Sequence, residues 1–382
     1  MGMGNIWTEQ DEIFMRRALQ LAARGLGRVE PNPMVGAVVV SEGEIIGEGY
    51  HKKFGGPHAE VNAFEKTGEA SRGATLYVTL EPCNHLGKTP PCTDVVLQAG
   101  IRRVVAAAQD PNPKVSGRGF ETLQNAGVQV DIGLMEEKAR RLNAPYEKWR
   151  RTGIPFVTAK WAMTLDGRIA SVSKDSKWIT SKPARKHAHK IRAQASGILV
   201  GIETVLRDDP WLTCRILKGR NPKRIILDSQ ARIPTNSRLI QTIDEGEIIL
   251  VTTGQGPTRQ IEELEKLGCQ VIVVPEVAGR CSLVPLMQEL SRRDVHHILV
   301  EGGQKVLSSF FKDRLVDRVM VYLGSKILGD GVPPIQGLGT TEMMQSFNLK
   351  DIAVHRIGSD VLIEGLVRDF EEGASLEAEL SE

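Results

Sequence analysis

Residues 55–63 read GGPHAEVNA and residues 79–95 read TLEPCNHLGKTPPCTDV. Together they place one imidazole (His58), one carboxylate (Glu60) and two thiols (Cys83 and Cys92) at or near the starts of segments patterned as helices. An imidazole with two thiolates suits a zinc ion whose fourth position stays open to water, with a nearby Glu acting as proton shuttle rather than ligand. Attack on an amino-bearing ring carbon needs hydroxide near neutral pH, and zinc lowers the pKa of water from about 16 to about 7 in favourable sites. Two thiolates blunt that effect, which leaves Glu60 the task of moving protons. Helix entrances favour thiolates through their dipole and free N–H groups. Residues two apart point about 200° apart on a regular helix, so His58 has to lie at an irregular entrance if it and Glu60 are to face one site. Taken singly, these residues would be an ordinary surface histidine, two buried thiols and a helix-start charge. In this order they point to a hydrolytic deaminase acting on a nucleobase-like ring. The most familiar signature of such enzymes carries PCxxC, whereas here NHLGKTPP separates the two cysteines.

Around this centre the pattern alternates. Residues 8–24 carry apolar positions at helical spacing (Ile13, Phe14, Ala18, Leu21, Ala22) between a Thr8 cap and Gly25. MVGAVVVS and EIIGEGY predict a hairpin about Glu42 and Gly43; helical AEVNAFEKTG, strand ATLYVTL, helical CTDVVLQAG and strand RRVVAAA follow. A further helix–strand pair and one helix over 136–151 complete a segment expected to form a three-layer α/β domain. Gly153 and Pro155 are breakers, so the boundary is expected near 150–155, giving domains 1–150 and 151–370. The second half predicts strands at PFVTAKWAM, GILVG, RIILD, EIILVTT, QVIVVP, HILVEGG and DRVMVYLG. Residues 371–382 form an acidic tail expected to be disordered.

With 382 residues, two cores are the natural expectation. No apolar run is long enough to span a bilayer, and MGMGNIWTEQ has no secretory character, so a cytoplasmic location is expected. Five cysteines in a reducing compartment suit ligands or buried thiols rather than disulfides. A formal charge of +2 gives no nucleic-acid footprint and favours a small-molecule substrate. A homo-oligomer is expected.

PNPMVGAVVV, EGYHKKFGGPHAEVNA, TLEPCNHLGKTPPC and AAQDPNP closely resemble the pyrimidine deaminase half of the bifunctional riboflavin-biosynthesis deaminase/reductase family, over residues from about 14 to 150. The resemblance implies a cytidine-deaminase-like fold, zinc on His58, Cys83 and Cys92, and Glu60 as the catalytic residue. The implied substrate is a phosphoribosylated diaminopyrimidinone whose 2-amino group is hydrolysed, with Asn32, His51 and Lys88 in contact with it. An amide suits a ring edge and a cation suits a phosphate. Otherwise Asn32 would shape a turn and Lys88 would be a solvated loop charge.

AKWAMTLDGRIA, SKWITS, KIRAQASGILVGIETVLRDDPWLTCR and LVEGGQKVLSSF resemble the reductase half of the same family, which is similar in fold to dihydrofolate reductase. Part of this is legible directly: strand HILVE runs through Gly302 and Gly303 into helix QKVLSSFF, so free N–H groups would face a phosphate. The sequence has no GxGxxG with a following acid, which speaks against a Rossmann domain. The resemblance implies NADPH delivering hydride to the sugar C1 of the ring-opened ribosylamine. It implies a cofactor wall of Ala162, Trp178, Thr204, Asp208, Gly303, Gln304, Lys305, Val306, Leu307, Ser308 and Ser309, with Ser229 added. Lys160, Ser176, Arg192, Leu212, Arg215 and Glu301 would hold the substrate. Without the resemblance, Trp178 and Leu212 would be core and Arg192 a solvated helix charge. No general acid for the reduction is assigned. Two other readings compete: a nucleoside or tRNA-base deaminase with an unrelated second domain, and a structural zinc module closed by His85 as fourth ligand.

Overall fold

The computed structural model describes residues 7–85, 90–113, 115–216 and 219–367, and the chain divides into two compact units, 1–151 and 152–382. The expectation for the acidic tail and that for Lys88 fall outside the described residues.

In the first unit, α1 (Glu9–Ala22) starts at a capping box: Thr8 Oγ1 accepts from Asp11 N at 3.1 Å, and Asp11 accepts from Thr8 N at 2.9 Å. Phe14, Met15, Ala18, Leu21 and Ala22 are buried. Ile13, expected on the same stripe, is 55% exposed, because it lies one position off the face that Phe14 and Ala18 define. β1 (Gly36–Ser41) and β2 (Glu44–Tyr50) form the predicted hairpin, whose two turn residues both have positive φ, Glu42 at 53° and Gly43 at 83°. Next come α2 (Ala59–Phe64), β3 (Thr75–Val78), α3 (Cys92–Gln98), β4 (Arg103–Ala106), α4 (Arg118–Asn125) and β5 (Gln129–Ile132). The sheet order is β2-β1-β3-β4-β5, with β3, β4 and β5 parallel.

Alternation along β1 makes the layers. Val38 and Val40 meet the α1 residues Phe14, Met15 and Ala18 on one face, while Ala37 and Val39 meet Ala59, Val96 and Phe120 on the other. Close approach of α2 to β2 depends on glycine: a Cβ at Gly49 would come within 2.2 Å of the Ala59 carbonyl. The helix expected over 136–151 is two helices, α5 (Glu136–Leu142) and α6 (Ala144–Thr152). Asn143 breaks it: the buried amide donates to Met34 O at 2.9 Å and accepts from Met34 N at 2.8 Å.

The second unit is built on a nine-stranded sheet. Its elements are β6 (Phe156–Met163), α7 (Lys182–Gln194), β7 (Gly197–Gly201), α8 (Ile202–Asp208), β8 (Lys223–Leu227), α9 (Arg238–Gln241), β9 (Ile248–Thr252), α10 (Thr258–Lys266) and β10 (Gln270–Val273). They continue with the short pair β11 (Glu276–Val277) and β12 (Arg280–Cys281), then α11 (Leu283–Arg292), β13 (His297–Gly302), α12 (Gln304–Lys312), β14 (Arg318–Leu323), β15 (Lys350–Ile357) and β16 (Asp360–Leu366). The order is β10-β9-β8-β7-β13-β6-β14-β16-β15. The run from β10 to β14 is parallel and corresponds to the predicted strands; β16 and β15 close it antiparallel. Leu199, Ile225 and Ile249 pack into one core face, and Ile198, Val200, Ile226 and Leu250 into the other. The β15–β16 hairpin was not expected from the sequence, because β15 is an edge strand with almost no buried position and so shows little apolar alternation.

Candidate active sites

The end of the first unit's sheet where α2 and α3 begin carries the four chemical residues. His58 is the N-cap of α2 with extended backbone (φ −72°, ψ 171°), and Glu60 lies in the first helical turn. The irregular entrance that the sequence required is therefore present, and both side chains reach one place. Cys92 is the first residue of α3, after Pro91 as N-cap. Its N–H is directed at Cys83 Sγ at 3.4 Å, and Thr93 N donates to Cys83 O at 3.1 Å, so the α3 entrance grips the second cysteine. His58 Nδ1 stands 3.2 Å from Cys92 Sγ and 3.5 Å from Cys83 Sγ, and the ligand atoms of the triad all lie within 4.8 Å of one another. Hydrogen bonding to the Cys92 thiol, with help from His58, holds the Cys83 thiol down at about 4, while Cys92 is raised. Burial, reinforced by negative charge on Cys83, pushes Glu60 up to about 7.

The donor set fits zinc: one imidazole nitrogen facing two thiols, with no fourth protein ligand in the cluster among the described residues. His85, the candidate to close a structural site, is exposed and outside that group.

Above the triad lies a cavity of about 270 Å³ whose wall includes Asn32, His51, Glu60, Asp110, Asn112 and Arg150. His51 Nδ1 lies 3.0 Å from the Pro57 carbonyl, which can only accept, so this nitrogen carries the proton. Nε2 is then an acceptor and takes the Asn32 amide N–H at 3.3 Å. That contact turns the Asn32 carbonyl oxygen away as a free acceptor for a ring edge. The sequence reading did not assign Glu81, Asp110, Asn112, Tyr146 or Arg150. Buried Glu81 accepts from Asp110 N (3.1 Å), Gly117 N (2.9 Å) and Gly119 N (2.9 Å), fixing the loop that carries Asp110 and Asn112 to the wall. The AAQDPNP stretch was the available signal for those two; Tyr146 and Arg150 left none, because their helix reads as merely charged.

In the second unit, Glu301 at the end of β13 is clamped by Arg192 of α7, Nε to Oε1 at 2.7 Å and Nη2 to Oε2 at 2.8 Å, and by Lys160 of β6 at 3.3 Å. Burial opposes ionisation of Glu301, but Arg192 and Lys160 outweigh it and hold the carboxyl well below its usual range. Arg192 is thus a buried partner rather than a solvated charge. Arg215 lies beside His189, whose imidazole is lowered to about 4 by burial and by the charges of Arg192 and Arg215. Ser176 is half-buried, and Leu212 packs in the core with Ile198 and Val205.

A cavity of about 510 Å³ opens where β13 passes into α12. Thr204, Ser229, Gly303, Gln304, Lys305, Val306 and Ser309 are on its wall, with Arg207, Arg232 and Arg280 beside them. Gly302 (φ 123°) and Gly303 (φ 43°) make the turn in conformations that favour glycine. The stretch 303–309 does not line this wall uniformly. Leu307 is turned into the core, because one side of a helix resting on a sheet must be apolar, and Ser308 Oγ accepts from Gln336 N at 2.9 Å. Ala162, Trp178 and Asp208 also lie off this wall. Trp178 is 60% exposed beneath the Arg185 guanidinium, 4.3 Å from the ring centroid, and is not core.

Residues 8–108 match the cytidine and deoxycytidylate deaminase zinc-binding region, and residues 155–363 match the RibD C-terminal domain. The riboflavin biosynthesis protein RibD of Aquifex aeolicus is 44% identical, covering 93% of this chain and 98% of that relative. The chain belongs to the RibD family. It is a bifunctional riboflavin-biosynthesis enzyme, a zinc deaminase followed by an NADPH-dependent reductase, with a cytidine-deaminase-like and then a dihydrofolate-reductase-like fold. The solved RibD of Acinetobacter baumannii has TM-score 0.85 at 37% identity, covering 94% of this chain and 99% of that one. The deaminase/reductase of Thermotoga maritima has TM-score 0.81 at 41% identity, covering 93% and 98%. The pairing of these two domains rules against an unrelated second half and against a zinc module without enzymatic activity. No helix among the described residues is long and apolar enough to cross a membrane.

Proposed function

We propose that the first site hydrolyses the 2-amino group of 2,5-diamino-6-ribosylamino-4(3H)-pyrimidinone 5′-phosphate, and that the second reduces the ribosyl group of the product to ribityl. The observation that carries this is the buried Glu60 beside a triad whose donor atoms lie within 4.8 Å of one another. Zinc held by His58 Nδ1, Cys83 and Cys92 supplies the Lewis acidity that makes a water nucleophilic near neutral pH. Glu60 takes one proton from the attacking water and hands it to the ring nitrogen, then takes the second from the hydroxyl of the tetrahedral adduct and hands it to the amine, which leaves as ammonia as the C–N bond breaks and the carbonyl forms. A carboxyl poised near neutrality serves in both directions. Asn32, oriented by His51, accepts from an N–H on the ring edge. Charge balances as water enters and ammonia leaves.

In the second site NADPH supplies the hydride. The N–H groups of the Gly302–Gly303 turn and of the start of α12 would receive its phosphates, with Thr204, Ser229 and the 303–309 stretch around it. Trp178, Ala162 and Asp208, which lie off the 510 Å³ cavity, would contact parts of the cofactor that extend beyond it. Lys160, Arg192, Arg215 and Glu301, with Ser176 and Leu212, would hold the phosphorylated sugar; the Arg215 guanidinium suits its phosphate, since the paired donors of Arg192 are taken by Glu301. We place the domains at 1–150 and 151–370, the enzyme in the cytoplasm, and the chain in a homo-oligomer. Exposed Ile352 and Val354 on edge strand β15, with exposed Met343 and Met344, support the last point. Incubating the enzyme with the diaminopyrimidinone phosphate should give a product about one mass unit heavier without NADPH, where NH has been exchanged for O, and a further gain of about two with it. Absence of the first product from zinc-loaded enzyme would remove the deaminase assignment.

A further inference from the structure

The deaminase cavity is short of positive charge. Its described wall carries the carboxyl groups of Glu60, Glu81 and Asp110 beside Cys83, and Arg150 is its only Lys or Arg among the described residues. A phosphorylated substrate entering such a cavity meets repulsion unless a cation receives it. Arg150 occupies the last turn of α6, four residues after Tyr146, so both project from the same helix face onto the cavity. The neighbouring Arg151 is committed to Glu147, with Nε to Oε2 at 3.0 Å. Arg150 is placed differently: it has a side-chain hydrogen bond with Tyr146, while its Nε is buried without a hydrogen-bond partner. The guanidinium lies on the Trp149 ring, 4.1 Å from its centroid, and 5.4 Å from that of Tyr146. A stacked guanidinium has its face occupied and its in-plane N–H edge available, the geometry in which arginine grips an oxyanion. Asp110, whose carboxylate accepts from Tyr146 OH at 3.0 Å and Asn112 N at 2.8 Å, lies close enough for its charge to be felt by Arg150.

We propose that Arg150, stacked on Trp149 at the wall of the deaminase cavity, is an anion subsite that receives the phosphate of the pyrimidine substrate and sets the enzyme's preference for phosphorylated over unphosphorylated rings. The subsite selects substrate and takes no part in proton transfer, so its loss acts on KM and leaves kcat alone. It rests on the deaminase reading of the cavity, which Glu60→Ala tests separately.

The assay measures deamination of the phosphorylated diaminopyrimidinone and of the same compound after phosphatase treatment, by the zinc-loaded full chain and by Arg150→Met, Arg150→Lys and Lys88→Met. Losing a charge-assisted contact corresponds to about 10- to 100-fold. Arg150→Met is expected to raise KM for the phosphorylated substrate by that factor, with kcat within twofold and with kcat/KM for the dephosphorylated compound unchanged. Arg150→Lys, keeping charge without the planar edge, should fall between. Inhibition by inorganic phosphate should weaken in Arg150→Met to the same degree. Reductase turnover of the deaminated substrate reports that each variant is folded. An equal loss for both substrates in Arg150→Met would show a merely structural role. An unchanged phosphorylated-to-dephosphorylated ratio, or a ratio that collapses in Lys88→Met alone, would equally overturn the proposal. If Glu60→Ala retained deamination, the underlying reading would fail, whatever the Arg150 ratio.

Discussion

Replacing Glu60 with alanine should abolish deamination and leave reduction nearly intact. Glu60 is 3% exposed, lies beside Cys83 and Cys92, and is pushed up to about 7 by burial. Burial thus moves it toward the range in which one carboxyl can both take and return a proton. A single general acid–base group is worth about 10²- to 10⁴-fold, or about 3 to 5 kcal/mol of barrier at about 1.4 kcal/mol per decade. Glu60 serves several transfers in one turnover, so the loss should reach or exceed the upper end. Stability should fall little, because the removed group was buried at a desolvation cost that alanine does not bear. Zinc should stay near one ion per chain, since Glu60 lies outside the His58–Cys83–Cys92 cluster proposed to hold it. Reduction should persist because Gly303 and the α12 residues on the second cavity belong to the other unit. The assay supplies each half-reaction with its own substrate and measures zinc in parallel. A variant that keeps zinc and loses both activities would refute the two-site reasoning.

Gly303→Val should weaken NADPH binding at least tenfold. φ of 43° at this position strains any L side chain by about 1–3 kcal/mol, and straightening the turn would turn its N–H groups away from the cofactor phosphates; cofactor titration by fluorescence checks this, and unchanged affinity would count against the cradle. Arg192→Met should destabilise the second unit by about 3–5 kcal/mol, because it leaves Glu301 buried with only Lys160 as counter-charge. Calorimetry should show a fall of roughly 6–20 °C, largely restored in the double variant Arg192→Met/Glu301→Met; no fall would mean the clamp is solvated. His297 provides a pH signature: its Nε2 meets Thr158 Oγ1 at 3.0 Å, and burial holds the imidazole down at about 3. The unfolded chain binds that proton near pH 6.5 and the folded chain does not, so this group's contribution is intact above 6.5 and declines as pH falls toward 3, by about 2 kcal/mol at pH 5. Unfolding midpoints from pH 7 to 5 should fall less steeply in His297→Gln than in the parent, and parallel slopes would refute the assignment.

The clustering of His58, Cys83 and Cys92 with Glu60 beside them, the hairpin about Glu42 and Gly43, and the parallel strands of the second unit were legible because each is encoded locally. A turn needs particular residues at adjacent positions, a buried strand needs a run of apolar ones, and a triad gripped by two helix entrances needs its donors at fixed offsets from those entrances. The sequence could state that His58 and Glu60 needed an irregular entrance; only the folded backbone decided that His58 is the N-cap of α2. The break of the 136–151 helix was not legible, because its cause is Met34, more than a hundred residues away, whose backbone polar groups are met by Asn143. The same holds for Glu81, whose role lies in bonds to Asp110, Gly117 and Gly119, and for Arg150, which differs from Arg151 only in the face of α6 it occupies. Edge strand β15 escaped because exposure to water removes the alternation that marks a strand. Local chemistry thus fixed what the residues are suited to do. Which of them meet was decided by burial and by the demand that every buried polar group find a partner, and those partners are set by the tertiary fold.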